Sequence, residues 1–84
     1  MGNFGTKKFE AINRETELRA IIEAVYKALQ TRGHDPINQL VGYLTTEDPT
    51  YITNYGNARK LITQVERDEL LRELLRAYLP DKEA

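Results

Sequence analysis

The sequence predicts an all-α protein: a small bundle of about four helices plus a short helical turn, with a mobile N-terminal tail. Three observations predict this fold class. Apolar residues recur at helical spacing in several segments, two Asp-Pro pairs mark helix starts, and no segment alternates clearly enough to indicate a strand. With 84 residues, the chain has room for one domain at most.

The sequence predicts three parts. We expect residues 1–13 to form a flexible, mildly basic tail, residues 14–80 to form the helical domain, and residues 81–84 to form a frayed C-terminus. The tail contains Gly2, Gly5, Lys7 and Lys8 but no helical apolar pattern. Chain ends of this kind are poorly ordered unless they are tied to the body of the domain.

The first helix is predicted from about Thr16 to just before Gly33. Thr16 is suited to the N-cap, and Gly33 stands where a helix end favours a residue tolerant of positive φ. Glu15 and Arg19 have the spacing of an ion pair on the outer face of this helix. The apolar positions follow the spacing of one buried face: Leu18, Ile21, Ile22, Val25, Ala28 and Leu29.

The second helix is predicted to begin at Asp35 and Pro36 and to end near Thr45. Aspartate is a good N-cap, and proline at the first helical position loses no hydrogen bond. A second Asp-Pro pair, at residues 48–49, repeats the signal, but only two apolar residues follow it. We therefore expect a single helical turn there, inside a connector. The apolar stripe of the second helix is Ile37, Leu40, Val41 and Leu44.

The last helical segment, from about Asn57 to Leu79, carries two apolar stripes about half a turn apart. The first stripe is Ala58, Leu61, Ile62 and Val65, and the second is Leu70, Leu71, Leu74, Leu75 and Tyr78. Because a straight helix would need partners on opposite sides, we expect a break near Glu66 to Asp68. A straight helix spanning a dimer interface is the alternative.

Composition excludes several kinds of catalytic site. The chain has no Cys and no Ser, and its one His cannot form a polyhistidine metal centre. Asp35 and Asp48 are better explained as helix caps than as acid–base catalysts. The sequence therefore predicts no enzyme, no metal and no cofactor. It also shows no signal peptide or membrane-spanning stretch, which predicts a cytoplasmic protein without membrane insertion.

The remaining class of function is binding to another molecule. Nucleic acid is the alternative to a protein partner. The first two predicted helices could be drawn as a helix-turn-helix, with Asn38 and Gln39 available to read adenine. However, residues 36–44 contain no Lys or Arg, and the net charge is −1, so the phosphate attraction behind such binding is missing.

Protein partners are therefore the main prediction. Small helical domains with several apolar faces often complete their core with a second copy, so we expect an intertwined or face-to-face homodimer. The residues that we expect to contact partners are Asn38, Gln39, Tyr51, Arg59, Glu66, Arg67 and Asp68.

Several sequence segments resemble one known family closely and in unbroken order. They read GHDPINQLVGYL (33–44), DPTYIT (48–53), AR (58–59), ERDEL (66–70) and ELLRAYL (73–79). These segments are similar to those of the IreB family of small regulatory phosphoproteins, found in low-GC Gram-positive bacteria. The likeness covers about Val25 to Leu79. His34 and Asp35 replace the commoner Tyr-Asn, and the cap is retained because Asp and Asn cap alike.

The resemblance implies a cytosolic, helical, homodimeric protein without known enzymatic activity. It implies a substrate of a transmembrane Ser/Thr kinase and its phosphatase. The implied role is that of a negative regulator in cell-envelope stress and antibiotic (cephalosporin) resistance signalling, acting on an unidentified downstream protein. The family's phosphoacceptors are tail threonines in a T-x-x-F pattern, which Thr6-Lys7-Lys8-Phe9 matches. Since Asn3 stands where members can carry a second threonine, a single modification at Thr6 is expected.

Overall fold

A computed structural model describes the backbone of residues 2–80 and the side chains of residues 14–80. This part of the chain contains helices and no strand, which confirms the all-α prediction. Two short 3-10 turns, Pro49–Tyr51 and Tyr55–Asn57, lie in the connector between the second and third helices. The α-helices are α1 (Gly2–Thr31), α2 (Pro36–Thr46), α3 (Ala58–Thr63) and α4 (Arg67–Tyr78).

Helix α1 begins at Gly2 instead of near Thr16, so the predicted N-cap at Thr16 was wrong. The apolar pattern locates where the helix is buried, and a helix can extend beyond its buried part because each added residue gains a hydrogen bond. The mobility of residues 1–13 and the domain boundary at residue 13 stay predictions. The predicted fraying of residues 81–84 lies outside the described residues.

The end of α1 has the expected left-handed glycine. Gly33 has φ of 77°, its N–H donates to the carbonyl of Gln30, and the N–H of His34 donates to the carbonyl of Leu29 at 2.8 Å. These two bonds form a Schellman motif, in which a residue with positive φ lets the chain turn back and satisfy the last carbonyls. The predicted C-terminus of the first helix is confirmed.

Both Asp-Pro pairs begin helical segments as predicted. The Asp35 carboxylate accepts hydrogen bonds from the backbone N–H and the side-chain amide of Asn38, at 3.3 and 2.8 Å. The Asp48 carboxylate accepts from the N–H and hydroxyl of Thr50, at 3.0 and 2.7 Å. These bonds from Thr50 hold the pKa of Asp48 below its ordinary value. Each aspartate thus satisfies helix-start donors that would otherwise have no partner.

The long C-terminal segment is broken where the charged run predicted a break. Helix α3 ends at Thr63, and Glu66 has extended backbone angles, φ −74° and ψ 145°, immediately before α4. The change of direction lets α3 and α4 both pack against α1. The break is confirmed, and a straight helix is excluded.

The hydrophobic core lies between α1 and α3 and is closed by single residues from the other elements. Ile52, in the connector, is completely buried. The same connector packs on α2 through Gly42, where a Cβ would overlap the ring carbons of Tyr51. The connector is therefore part of the folded core. The buried apolar residues are Leu18, Ile21, Val25, Ala28, Leu29, Tyr43, Ile52, Ala58, Ile62, Val65 and Leu70.

Candidate functional site

The expected phosphoacceptor, Thr6, lies in the N-terminal part of α1, where the structure describes only the backbone. Its backbone is helical, whereas a kinase substrate presents its hydroxyl from an extended segment. Gly5, one turn inside α1, weakens a helix by about 1 kcal/mol relative to alanine. The turns around Thr6 can therefore unwind at low energetic cost.

Three of the expected partner residues meet at the connector, and a fourth, Asn38, lies beside one of them on α2. Asn38 supports the Asp35 cap, and the Gln39 side chain donates to the Tyr51 carbonyl at 2.8 Å. The Arg59 Nε donates to the Ile52 carbonyl, also at 2.8 Å. These polar groups tie α2, the connector and α3 together. Tyr51 is 37% exposed, so part of this residue is accessible to a partner.

The other three expected partner residues lie together at the junction of α3 and α4. The Arg67 guanidinium donates to the Leu44 carbonyl at 2.7 Å and pairs with the Glu47 carboxylate at 2.6 Å. Glu66 and Asp68 are exposed and, with Arg67, line a hollow that extends to the end of α2. The structure thus gathers the seven residues into two groups, both attached to α2, and their contact with partners stays a prediction.

Burial and charge also act on Tyr43, which lines the same hollow. Desolvation raises the pKa of the Tyr43 hydroxyl above its ordinary value, although the nearby Arg67 opposes the change. A phenol with a raised pKa is a poor acid–base group near neutral pH. In the described part of the chain, no group of three His, Asp or Glu side chains could hold a metal ion.

Ion pairs connect α1 to α4. Arg19 Nε donates to the Glu73 carboxylate at 3.0 Å, and Glu15 lies 3.7 Å from Arg76. The predicted pairing of Glu15 with Arg19 was therefore wrong, because each of them pairs with a residue of α4 instead. The closest of these pairs joins Arg14 to Glu69 at 2.6 Å.

The Arg14–Glu69 pair makes stability depend on pH. The hydrogen bond from Arg14 is the largest reason why the pKa of Glu69 is lower in the folded protein than its ordinary value of 4.5. A lowered folded pKa stabilises the fold above the unfolded pKa, and this stability is lost as pH falls through the folded pKa. We expect Glu69→Gln to flatten the loss of stability below about pH 4.5, measured by urea unfolding at a series of pH values.

Glu17→Gln is the matched control for that measurement, because the more exposed Glu17 carboxylate contacts the same arginine at 3.4 Å. A pH profile of Glu69→Gln that matches the wild type, or a larger change in Glu17→Gln, would contradict the expectation.

Helix α4 presents most of its apolar residues to solvent, which the sequence pattern did not predict. Only Leu70 of its second stripe is fully buried, while Leu71, Leu75 and Tyr78 are exposed. The buried face instead includes Glu73, which is 4% exposed. Glu73 interrupts the second apolar stripe in the sequence, and this interruption could have indicated that α4 has one buried face and one exposed face.

None of the helices among the described residues is long and apolar enough to cross a membrane.

Comparison with known proteins identifies the family. A model of the family described as IreB regulatory phosphoprotein matches residues 5–80. A UPF0297 protein of Ruminiclostridium cellulolyticum is 50% identical over 80 residues, which are 94% of this chain and 91% of that protein. A UPF0297 protein of Acetivibrio thermocellus is 50% identical over 82 residues, covering 96% of this chain and 91% of the relative. The family model covers most of the chain and the two relatives share half of its residues, so the chain belongs to the IreB regulatory phosphoprotein family.

Proposed function

We propose that this protein is a non-enzymatic, cytoplasmic regulator switched by phosphorylation of Thr6. A transmembrane Ser/Thr kinase adds the phosphate and a partner phosphatase removes it. The regulator acts negatively in cell-envelope stress and cephalosporin resistance signalling, through an unidentified downstream protein. The observation that supports this proposal best is that the match to a family of regulatory phosphoproteins begins at residue 5 and so includes Thr6.

The charge change at Thr6 is large relative to its surroundings. A phosphate adds about −1.5 to −2 charges at neutral pH. Lys7 and Lys8 are the adjacent positive residues, and the whole chain has a net charge of only −1. Phosphorylation therefore cancels the local basic charge and makes the protein distinctly more acidic.

Phosphorylation also disfavours the helical form of this segment. The helix dipole stabilises negative charge most strongly in the first turn of a helix. Thr6 lies beyond the first turn of α1 and gains little from this effect. Glu10 follows four residues later, so a phosphate on Thr6 would face a like charge on the same side of a helix. We therefore expect the unphosphorylated segment to be more helical than the phosphorylated one.

The test is phosphate incorporation by the purified catalytic domain of the kinase, with the modified residue located by mass spectrometry. We expect one phosphate on the wild type and none on Thr6→Ala. Thr45→Ala, which removes an exposed hydroxyl at the end of α2, is the matched control and should be modified normally. Phosphate that persists in Thr6→Ala would refute the site, and an unmodified wild type would refute the kinase relationship.

Protein partners are favoured over the nucleic-acid alternative. The Asn38 and Gln39 amides, which could have read bases, are both used in bonds within the protein. Helix α2 also has no basic residue to contact phosphates. We propose that the protein forms a homodimer, and that this dimer contacts the downstream protein.

A further inference from the structure

The hollow between the end of α2 and the junction of α3 with α4 contains a nearly buried polar group that the fold does not use. It is lined by Tyr43, Glu47 and residues 63–68, and its volume is about 760 Å³. Tyr43 is only 5% exposed, yet its hydroxyl has no hydrogen-bond partner among residues 14–80. Every fully buried polar side-chain atom in this part of the chain does have a partner. The hydroxyl is therefore the part of Tyr43 that reaches the hollow, where a ligand can bond to it.

The same hollow has further hydrogen-bond acceptors that are unused. The Glu66 carboxylate is exposed, does not cap α4, and forms no ion pair with the described side chains. The carbonyls of Thr63 and Gln64, at the end of α3, accept no hydrogen bond from the described backbone. Because the last carbonyls of a helix carry partial negative charge, they add to the negative potential beside Glu66.

The charges of the hollow favour a cation as the ligand. Its lining includes the carboxylates of Glu47, Glu66 and Asp68 but, among the described residues, only one basic side chain. That side chain, Arg67, is already paired with Glu47 at 2.6 Å. The N–H groups that begin α4 attract anions, but Glu66 and Asp68 lie at the same helix end and would repel them. Glu66 is thus left as a carboxylate that still lacks a positive partner.

We propose that this hollow binds an arginine side chain of a protein partner, whose guanidinium group donates to the Glu66 carboxylate and the Tyr43 hydroxyl. The inference rests on the proposed function in assuming that the protein acts by contact with another protein, and it names the chemistry of that contact. A guanidinium group stays charged and presents five N–H donors in one plane, so it can bond to a carboxylate and to a second acceptor together. A lysine ammonium lacks this planar fork and is more strongly hydrated.

A single arginine is expected to bind weakly here. Glu66 is exposed, and attraction between exposed charges is modest and is screened by salt. The contact therefore adds specificity to a larger interface and does not hold a partner by itself. Its binding should be measured at low ionic strength, with a probe small enough to contact only the hollow.

The test is an NMR titration of the isotope-labelled full chain with the peptide acetyl-Ala-Arg-Ala-amide. We expect saturable shifts of the backbone N–H signals of residues 64–68. The matched probe is acetyl-Ala-citrulline-Ala-amide, which has the same shape without the charge and should bind about fivefold more weakly. The corresponding lysine peptide should also bind more weakly than the arginine peptide.

Two substitutions test the named acceptors. Glu66→Gln keeps the size of the side chain and should weaken binding of the arginine peptide about fivefold. Tyr43→Phe removes only the unpartnered hydroxyl and should weaken binding about two- to threefold. Glu23→Gln is the matched control, because it removes the same charge from an exposed site on α1 and should leave binding unchanged. The dispersion of the NMR spectrum checks that each variant is folded.

Several results would overturn the proposal. They are a wild type that does not bind the arginine peptide, a citrulline or lysine peptide that binds equally well, and a folded Glu66→Gln that binds like the wild type. Acetate that binds at the same N–H groups more tightly than the arginine peptide would instead indicate a site for anions. The titration uses no kinase, so failure of this site and failure of phosphorylation at Thr6 are distinguishable.

Discussion

Replacing Ile52 by alanine is expected to lower the free energy of unfolding by about 2–5 kcal/mol. Ile52 is completely buried although it lies in the connector. Its removal leaves a cavity that the short, hydrogen-bonded turns on either side cannot close. A domain of this length is stabilised by roughly 4–13 kcal/mol in total, so the variant would lose a large part of its stability.

The matched control is Ile37→Ala, which deletes the same atoms from a side chain that is 70% exposed. We expect it to change stability by about 0.5 kcal/mol or less. Urea unfolding at low protein concentration compares the two variants without a contribution from association. Equal losses in both variants would show that the connector is not part of the core.

Replacing Arg67 by alanine is expected to cost about 1–3 kcal/mol, because it leaves the Leu44 carbonyl without its donor and Glu47 without its ion pair. Lysine should restore only part of this loss, since a single ammonium group lacks the planar fork that reaches both partners. Thermal unfolding of Arg67→Ala and Arg67→Lys gives the two values.

Arg72→Ala is the matched control for the arginine series. Arg72 lies on the same helix, but its pair with Asp68 is exposed and 3.7 Å long. Pairs of this kind contribute about 0–1 kcal/mol. If Arg67→Ala were as stable as Arg72→Ala, the bridge between α2 and α4 would have no structural role.

The sequence predicted those helix boundaries that are set by residues at the boundary itself. The start of α2 follows from the cap formed by Asp35 and the fixed φ of Pro36, and the end of α1 follows from Gly33. The break before α4 was predicted because two stripes half a turn apart cannot share one core. The beginning of α1 was missed, since the apolar periodicity starts only at Leu18 and Thr16 stands just before it as a plausible cap.

Contacts between distant segments could not be predicted from spacing. Ile52 is buried because the fold brings the helices together around it. It stands in a polar connector without a periodic apolar pattern, so the sequence could not predict its burial. The same limit applies to the expected partner residues. The Gln39 amide bonds to a carbonyl twelve residues away, which no helical pattern indicates. Thr6 was found by resemblance, because a threonine in a tail has no distinguishing physical pattern.

The two Asp-Pro pairs have a practical chemical consequence. The peptide bond between aspartate and proline is cleaved by mild acid more readily than other peptide bonds, and here such bonds occur at residues 35–36 and 48–49. Acid cleavage of the unfolded chain would give pieces 1–35, 36–48 and 49–84. The first contains Thr6, Thr16 and Thr31, the second Thr45 and Thr46, and the third Thr50, Thr53 and Thr63. The residues that start two helical segments therefore also divide the threonines of the chain among three fragments of different mass, which allows a phosphate to be assigned to one of these segments without a protease.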